Sequence, residues 1–277
     1  LLYFNMGMIM SIKLIVIDLD GTLLNEQHEI TPEVHQAIQH AKNSGVHIVL
    51  ASGRSFNGIS PYLKALNLDT SDNFCISNNG SQIHQAENGE IITEDLLNFE
   101  DYLYFEDLSR EIGVHFHVLS DNKIYTTNRH ISHFTCREAF LTWTPLYYRP
   151  LSEMQRDMRF SKFMIVGTPT VLDNAMQYLP ANIYQQYSIL RSAPYFIEIL
   201  NTDVNKGNAV QKIAEHLKIT PEKIMCIGDQ DNDLAMLQYA GLGVAMGNAP
   251  EEIKKVAKFI TLSNKEHGVA VAINKFI

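Results

Sequence analysis

The sequence predicts an α/β protein with a mostly parallel sheet, flanked by helices, and an inserted α+β domain. Apolar, strand-like runs alternate with amphipathic helical segments towards both ends of the chain, and this alternation is typical of a parallel sheet. In between, helices are mixed with hairpin signals, which indicates a separate domain. We place the core at residues 1–93 and 201–277 and the inserted domain at residues 94–200.

The first strand is the apolar part of residues 12–24, IKLIVIDLDGTLL, which ends in two carboxylates and Gly-Thr. A short apolar run closed by turn residues is typical of a buried strand. Thr31 as N-cap and Pro32 at the first helical position mark the start of a helix, and Gly45 marks its end. Residues 46–51 form the next strand, so the three segments make a βαβ unit with parallel strands.

Two further segments continue the sheet. A helix at residues 56–66 leads to a strand at residues 74–77, and residues 81–92 alternate around Asn88-Gly89, a strong hairpin signal. Each of the three predicted parallel strands ends in a small polar cluster. Because ligands of open α/β sheets bind outside the carboxyl ends of the strands, the sequence predicts a site at this edge.

The remaining elements follow from the same periodicities. In the middle of the chain we predict helices at residues 99–112, 131–143 and 170–179, a strand at residues 160–166, and hairpins at residues 114–127 and 188–200. The α/β pattern then resumes, with helices at residues 208–217, 233–239, 251–257 and 268–276 and strands at residues 223–227, 242–246 and 259–261.

Composition and charge exclude several classes of partner. The 277 residues are 45% apolar and 19% charged, which is typical of a globular protein. The net charge of −9 argues against a nucleic-acid or anionic membrane partner, and no apolar run approaches the roughly 20 residues that span a bilayer. Cys75, Cys136 and Cys226 lie far apart and in no metal-finger pattern, so we expect a reducing, cytoplasmic location. We also expect a monomer or a homodimer.

The opening segment, LLYFNMGMIM, has neither the basic region nor the long apolar core of a signal peptide. We interpret LLYF as the remnant of an expression vector. The natural start would then be Met6, Met8 or Met10.

Asp18 and Asp20 lie two residues apart at the end of the first strand, where carboxylates are costly unless a counter-charge such as a metal ion pairs them. On a strand they would face the same side. Two such groups can act as nucleophile and acid/base if their surroundings separate their pKa values. The alternative is a plain turn, since Asp-Gly is common in turns.

A second acidic cluster, GDQDND at residues 228–233, follows another apolar strand. Asp229 and Asp233 would share a face if a helix begins there. Carboxylate oxygens suit Mg²⁺, which prefers oxygen ligands in octahedral geometry, so we predict a magnesium site. The alternative is a solvated acidic helix N-terminus stabilised by the helix dipole. The resemblance to an EF-hand calcium loop is weak, because the glycine and the distal Glu of that loop are missing.

Three further residues are candidates for binding phosphate. Lys206 opens the helix before the second acidic cluster, and Ser52 and Arg54 follow the second parallel strand. Small residues and hydroxyls at helix N-termini bind phosphate. The alternatives are a solvated surface charge for the lysine and helix capping for the other two.

These clusters together resemble, in order and spacing, the four motifs of the haloacid dehalogenase (HAD) superfamily, most of whose members are phosphatases. The motifs are DLDGT at residues 18–22, Ser52-Gly53-Arg54, Lys206, and GDQDND at residues 228–233. The inserted α+β domain resembles a type C2 cap. Asn79-Gly80, the turn at residues 247–249 and the tail SNKEHGVAVAI resemble the Cof-like subfamily IIB sugar phosphatases. The resemblance covers nearly the whole core and implies a HAD-like Rossmannoid fold.

The resemblance implies a covalent mechanism. Asp18 attacks phosphorus to form an aspartyl-phosphate, and Asp20 protonates the leaving oxygen and later deprotonates the attacking water. It implies Mg²⁺ bound by the Asp18 carboxylate, the Asp20 backbone carbonyl and Asp229, with Asp233 acting through a water or by orienting Lys206. The residues implied to bind phosphate or substrate are Gly21, Thr22, Gly53, Arg54, Asn79, Gly80 and Asn232, with Ser52, Lys206 and Asn232 stabilising charge on the phosphoryl oxygens.

The cap would close over the site and exclude bulk water. Tyr147, Tyr148, Arg149 and Arg191 are candidates for contacting a sugar or another anionic group, with ordinary core or surface roles as the favoured alternative. The leading hypothesis is a Mg²⁺-dependent phosphatase for small phosphorylated metabolites, sugar phosphates above all. A phosphomutase and a non-catalytic phosphometabolite-binding protein on the same scaffold are the alternatives.

Overall fold

The computed structural model describes residues 11–277, so the expected starts at Met6, Met8 and Met10 lie outside the described residues. The strands in this range are β1 (Leu14–Asp18), β2 (His47–Ala51), β3 (Phe74–Ser77), β4 (Gln82–Gln85), β5 (Ile91–Glu94), β6 (His115–Ser120), β7 (Lys123–Thr126), β8 (Leu146–Tyr148), β9 (Lys162–Val166), β10 (Tyr187–Ala193), β11 (Phe196–Asn201), β12 (Ile224–Gly228), β13 (Leu242–Ala245) and β14 (Phe259–Ile260). The helices are α1 (Pro32–Asn43), α2 (Phe56–Ala65), α3 (Phe99–Ile112), α4 (His133–Leu141), α5 (Pro169–Tyr178), α6 (Lys206–Leu217), α7 (Leu234–Tyr239), α8 (Glu251–Val256) and α9 (Gly268–Phe276).

The first sheet has eight strands in the order β14-β13-β12-β1-β2-β3-β4-β5. The strands from β14 to β3 are parallel to their neighbours, whereas β4 and β5 join antiparallel at one edge. This mostly parallel sheet with flanking helices confirms the predicted fold class.

Strand β1 lies at the centre of this sheet because both of its faces are apolar. Ile15 and Ile17 pack into one core cluster with residues of α1 and α9. Leu14 and Val16 pack into a second cluster with residues of α6 and α7. Alternate strand residues face opposite sides, so the continuous apolar run seen in the sequence is what a strand covered by helices on both faces requires.

Helix ends follow the signals that the sequence carries. The Thr31 side chain accepts a hydrogen bond from the backbone N–H of Val34 at the start of α1, and Pro32 is the first helical residue. Gly113 ends α3 in the left-handed conformation, with φ of 77°. Such local capping explains why the bounds of these helices could be predicted closely.

The second sheet has six strands in the order β10-β11-β9-β6-β7-β8. All neighbouring pairs are antiparallel except β7 and β8. Helices α3 and α5 cover one face, where an aromatic core forms around Phe105, Phe160 and Phe163. The other face packs against α4. Strand β8 was not predicted, because three residues are too few to show a periodicity.

The two sheets are separate in the chain. All strands of the second sheet lie between residues 115 and 201, and the first sheet stops at Glu94 and resumes at Ile224. The assignment of residues 94–200 as an independent domain stays a prediction. Within residues 11–277, no helix combines the length and the apolarity that crossing a membrane requires.

Candidate active site

The candidate site lies where parallel strands of the first sheet end. Asp18 is the last residue of β1, Ser52 follows β2, and Asp229 follows β12. Because β2 and β12 flank β1 on either side, these three side chains are brought to one edge. These side chains therefore have the arrangement that the predicted site at the carboxyl ends of the strands requires.

Lys206 joins two of the acids. It is the first residue of α6 and is fully buried. Its Nζ donates to Asp18 Oδ1 at 2.5 Å and to Asp233 Oδ1 at 2.7 Å. Burial alone would lower the pKa of Lys206, but the charges of Asp18 and Asp233 outweigh burial and raise it. The lysine is therefore a fixed cation and not a solvated surface charge.

Three buried carboxylates surround this lysine. One oxygen each from Asp18, Asp229 and Asp233 lie within 4.8 Å of one another. Burial and the charge of Asp233 raise the pKa of Asp229 to about 7 and also raise the pKa of Asp18. One lysine does not balance three acids, and the donors are all oxygens, so the cluster fits a divalent cation such as Mg²⁺. The Asp20 carboxylate lies outside this group, and its contribution through a backbone carbonyl stays a prediction.

Gly21 and Thr22 hold Asp229 in place. Thr22 Oγ1 donates to Asp229 Oδ1 at 2.9 Å. Gly21 has φ of +82°, and a Cβ there would lie 2.5 Å from Asp229 Oδ2, so both the backbone conformation and the lack of space require glycine. Asn248 Nδ2 completes the surroundings, 3.2 Å from Asp229 Oδ2. In this structure the predicted phosphate binders Gly21 and Thr22 lie against Asp229 of the carboxylate cluster.

Asp233 orients the second acidic loop. Its Oδ2 accepts hydrogen bonds from the backbone N–H groups of Asp229 and Gln230, at 2.9 and 3.0 Å. A short 3₁₀ turn, Asp231–Asp233, lies between β12 and α7. Asp233 thus folds back onto Lys206 and is fully buried, in contrast to a solvated helix N-terminus.

Asp20 pairs with Arg54 in two places. Arg54 Nε donates to Asp20 Oδ2 at 2.8 Å, and Nη2 donates to Oδ1 at 2.5 Å. His28 Nδ1 lies 3.6 Å from the same Oδ1. Burial would raise the pKa of Asp20, but His28 and Arg54 together hold it well below its ordinary value. The guanidinium predicted to bind phosphate is therefore engaged with the predicted acid/base.

The remaining predicted residues lie in the loops next to these groups. Ser52 is buried, and its Oγ accepts from the backbone N–H of Arg54 at 3.2 Å. Asn79 is buried and bonded at both ends of its amide, accepting from Asn232 Nδ2 at 2.9 Å. Gly80 has φ of +106°, and a Cβ there would lie 2.4 Å from the carbonyl oxygen of Asn205. Gly80 thus allows the loop after β3 to approach the start of α6.

A cavity of about 250 Å³ lies between the two sheets. On the side of the first sheet it is lined by Asp18, Asp20, Ser52 and Asn232, among others. On the other side it is lined by charged residues that sequence reasoning missed, namely Arg137 and Glu138 of α4, Lys162 of β9 and Glu198 of β11. Charged residues within otherwise apolar strands, as in KFMIV and FIEIL, were the available signal, since a buried charge requires a partner.

Comparison with known proteins identifies the family. A sequence profile described as haloacid dehalogenase-like hydrolase matches residues 15–273. The chain belongs to the haloacid dehalogenase-like hydrolase family.

Individual relatives are similar in sequence to this hydrolase over nearly its whole length. YxeH of Bacillus subtilis (strain 168), which carries a provisional phosphatase name, is 42% identical over 265 residues, 96% of this chain and 98% of its own. The 5-amino-6-(5-phospho-D-ribitylamino)uracil phosphatase YcsE of the same organism is 33% identical over 267 residues, 96% of each chain. The crystal structure of a haloacid dehalogenase-like hydrolase from Bacteroides thetaiotaomicron is 33% identical, with a TM-score of 0.86, over 96% of this chain and 100% of that chain. The predicted superfamily and the predicted class of enzyme, a phosphatase, are confirmed.

The four residues proposed from sequence to meet the leaving group do not line the hydrolase cavity. Tyr147 and Tyr148 are exposed on edge strand β8. Arg149 stacks on Tyr125 at 4.8 Å, and Arg191 pairs with an acid of α5. Their favoured alternative, ordinary core or surface roles, is the one that this structure supports.

Proposed function

We propose that this hydrolase is a Mg²⁺-dependent phosphatase of small phosphorylated metabolites that forms an aspartyl-phosphate on Asp18. The observation that carries the proposal is the position of Asp18. Its carboxylate ends the central strand, is held on one oxygen by Lys206, and borders the cavity together with Asp20. A nucleophile and an acid/base thus meet in one opening with a fixed cation behind them.

The reaction divides into two steps. An oxygen of Asp18 attacks phosphorus, the bond from phosphorus to the ester oxygen breaks, and Asp20 gives that oxygen its proton. Water then attacks the aspartyl-phosphate while Asp20 takes a proton from it, and inorganic phosphate leaves with Asp18 restored. Ser52 and Asn232 border the same cavity and would donate hydrogen bonds to the phosphoryl oxygens.

Asp20 must hold a proton to act as an acid, and the contact with Arg54 opposes this. The bidentate pair favours the ionised carboxylate and lowers its pKa. The proposed mechanism therefore requires the pair to open when substrate binds. A phosphoryl group is a suitable new partner for the released guanidinium, because Arg binds phosphate in the same bidentate geometry.

Asp18, Asp229 and the Asp20 backbone carbonyl would hold Mg²⁺, with Asp233 contributing through a water or by fixing Lys206. When bound, the ion supplies positive charge that offsets the carboxylates and the incoming phosphate. The three-acid cluster, in which the pKa values of Asp18 and Asp229 are raised, supports this assignment.

The cavity walls support the proposed substrate class. Charged and polar groups of residues 94–200, which we propose as the cap, face the Asp18 side across a cavity of about 250 Å³. Such walls suit a leaving group with several hydroxyls, as in a sugar or polyol phosphate. The compound in the name of the relative YcsE carries a phospho-D-ribitylamino group, which is a polyol phosphate of this kind. We also propose a cytoplasmic location, which is consistent with three free cysteines.

The test is phosphate release from a panel of sugar, polyol and nucleotide phosphates, with Mg²⁺ and with EDTA. Asp18→Asn should lower the rate by a factor on the order of 10⁴ or more, and EDTA should abolish it. Full activity of that variant would refute the mechanism. Isomerised substrate without free phosphate would favour the phosphomutase, and tight binding without turnover would favour a metabolite sensor.

A further inference from the structure

Glu198 is a buried carboxylate of the second sheet that contacts the first. It interrupts the apolar strand β11 and is 3% exposed. Its Oε2 lies 3.3 Å from Nζ of the fully buried Lys162 and accepts a hydrogen bond from Asn79 Nδ2 at 2.8 Å. Lys162 Nζ in turn donates to the backbone carbonyl of Gly53 at 2.8 Å. A buried charged pair thus contacts both loops that border the phosphoryl site.

The carboxylate fixes which way the Asn79 amide points. A carboxylate paired with a lysine can only accept hydrogen bonds, so the Asn79 nitrogen must face Glu198. The Asn79 oxygen then faces the other way, where it accepts from Asn232 Nδ2 at 2.9 Å. Gly53 also lets the loop after β2 pass close to this amide, since a Cβ there would lie 3.1 Å from Asn79 Nδ2.

The backbone of Asn79 is fixed as well. It adopts the left-handed conformation, with φ of 56°, which Asn tolerates better than most residues. Its N–H donates to the carbonyl oxygen of Ser52 at 2.9 Å. The side chain therefore leaves a rigid position and has two defined partners.

The fixed oxygen of Asn79 in turn orients the amide of Asn232, which lines the cavity. One hydrogen of its amide nitrogen is directed to Asn79. An amide nitrogen carries two hydrogens, so the second remains for a phosphoryl oxygen. With the Asn79 oxygen fixed, the Asn232 side chain cannot exchange its nitrogen and oxygen without losing this bond.

We propose that Glu198 is a positioning residue: through Asn79, it orients the Asn232 amide towards the phosphoryl group. The proposal rests on the proposed function, since that function gives Asn232 its role. It means that the phosphate site is complete only when β11 is seated against the loop after β3. The hydrogen bond between Asn79 and Glu198 joins residues that are 119 positions apart in the sequence.

The experiment is a double-mutant cycle on the full-length protein with Mg²⁺, using orthovanadate as the probe in calorimetry. Glu198→Met and Asn232→Ala should each weaken orthovanadate binding by roughly ten- to a hundredfold, as expected for a lost hydrogen bond to a charged group. The double variant should bind no more weakly than Asn232→Ala, because Glu198 acts only through Asn232. Multiplying losses in the double variant would overturn the proposal.

Two further variants separate positioning from general stability. Glu198→Gln keeps an oxygen that can accept from Asn79 and should restore affinity to within about threefold of the wild type. Affinity as poor as that of Glu198→Met would show that charge matters and orientation does not, which also overturns the proposal. Glu138→Met removes another carboxylate, partly buried and 3.8 Å from Lys162, that does not contact Asn79. Any loss that it causes should persist in the Asn232→Ala background.

Failure of this proposal can be told from failure of the proposed function. Absence of both phosphate release and orthovanadate binding in the wild type would overturn both. Turnover that depends on Asp18, together with a cycle in which the losses multiply, would overturn the role of Glu198 alone.

Discussion

The Asp229 carboxylate should make the metal-free hydrolase less stable as the pH rises through neutrality. Burial and the charge of Asp233 raise the pKa of Asp229 to about 7, whereas an unfolded Asp titrates at about 4. Over this range the folded protein keeps a proton that the unfolded chain has released. The stability that this proton contributes is fully present below about pH 4 and is lost as the pH rises through about 7. Between about pH 5.5 and about pH 8 the loss is on the order of 2 kcal/mol.

Asp229→Asn removes the titration, and urea unfolding in EDTA measures the consequence. Relative to the wild type, the variant should gain about 2 kcal/mol of unfolding free energy between about pH 5.5 and about pH 8. Only this change with pH is diagnostic, because an amide nitrogen beside the donors Thr22 and Asn248 lowers stability at both pH values. Asp231→Asn, an exposed acid of the same turn, is the matched control and should show a much smaller change.

Mg²⁺ provides the second half of the test. At about pH 8 it should stabilise the wild type, since a ligand that binds only the folded state raises the free energy of unfolding. Asp229→Asn should gain far less from Mg²⁺. A stability difference between variant and wild type that stays constant with pH would refute the assignment of this proton to Asp229.

Three further variants test other parts of the site. Gly21→Ala should weaken Mg²⁺ binding about tenfold or more in calorimetry, because its Cβ would meet the Asp229 carboxylate, a proposed metal ligand, at 2.5 Å. Gly45→Ala is also at positive φ but in open space, so it should cost only about 1 kcal/mol of strain. Equal effects of the two variants on Mg²⁺ binding would contradict this. Lys206→Met leaves two buried carboxylates without their cation and should lower the free energy of unfolding by about 3–5 kcal/mol in urea titration, so a loss under about 1 kcal/mol would count against it. Arg54→Met removes a guanidinium that lowers the pKa of Asp20. The limb of the pH–rate profile that reports the titration of Asp20 should therefore move to higher pH. A limb that does not move would show that another group titrates there.

Local features of the chain made most of the fold predictable. The apolar run before Asp18, the Thr31-Pro32 helix start and the terminal Gly113 each act within a few residues. Their consequences therefore appear in the sequence as periodicities and caps. The acids that follow β1 and β12 could be placed together for the same reason, because parallel neighbours bring their carboxyl ends to one edge.

Contacts between distant side chains could not be predicted this way. The sequence shows that Arg54 and Asn79 follow strands, but not that Arg54 is held by Asp20 or Asn79 by Glu198. Each of these pairs depends on how one sheet seats against another or how one loop crosses the next, which no local pattern encodes. The ion pair between Lys162 and Glu198 was missed for the same reason.

The central position of β1 has a consequence for how the chain folds. Leu14 of β1 pairs with Ile224 of β12, and the whole second sheet is made between them. Every strand pair of that second sheet joins segments within residues 115–201, so it can assemble before β12 is available. Until β12 arrives, β1 presents an unpaired edge of five apolar or acidic residues, LIVID, a template for pairing with another chain. Long-range closure of this kind is slow. The strand that ends in Asp18, the proposed nucleophile, is therefore also where we expect aggregation to begin during refolding.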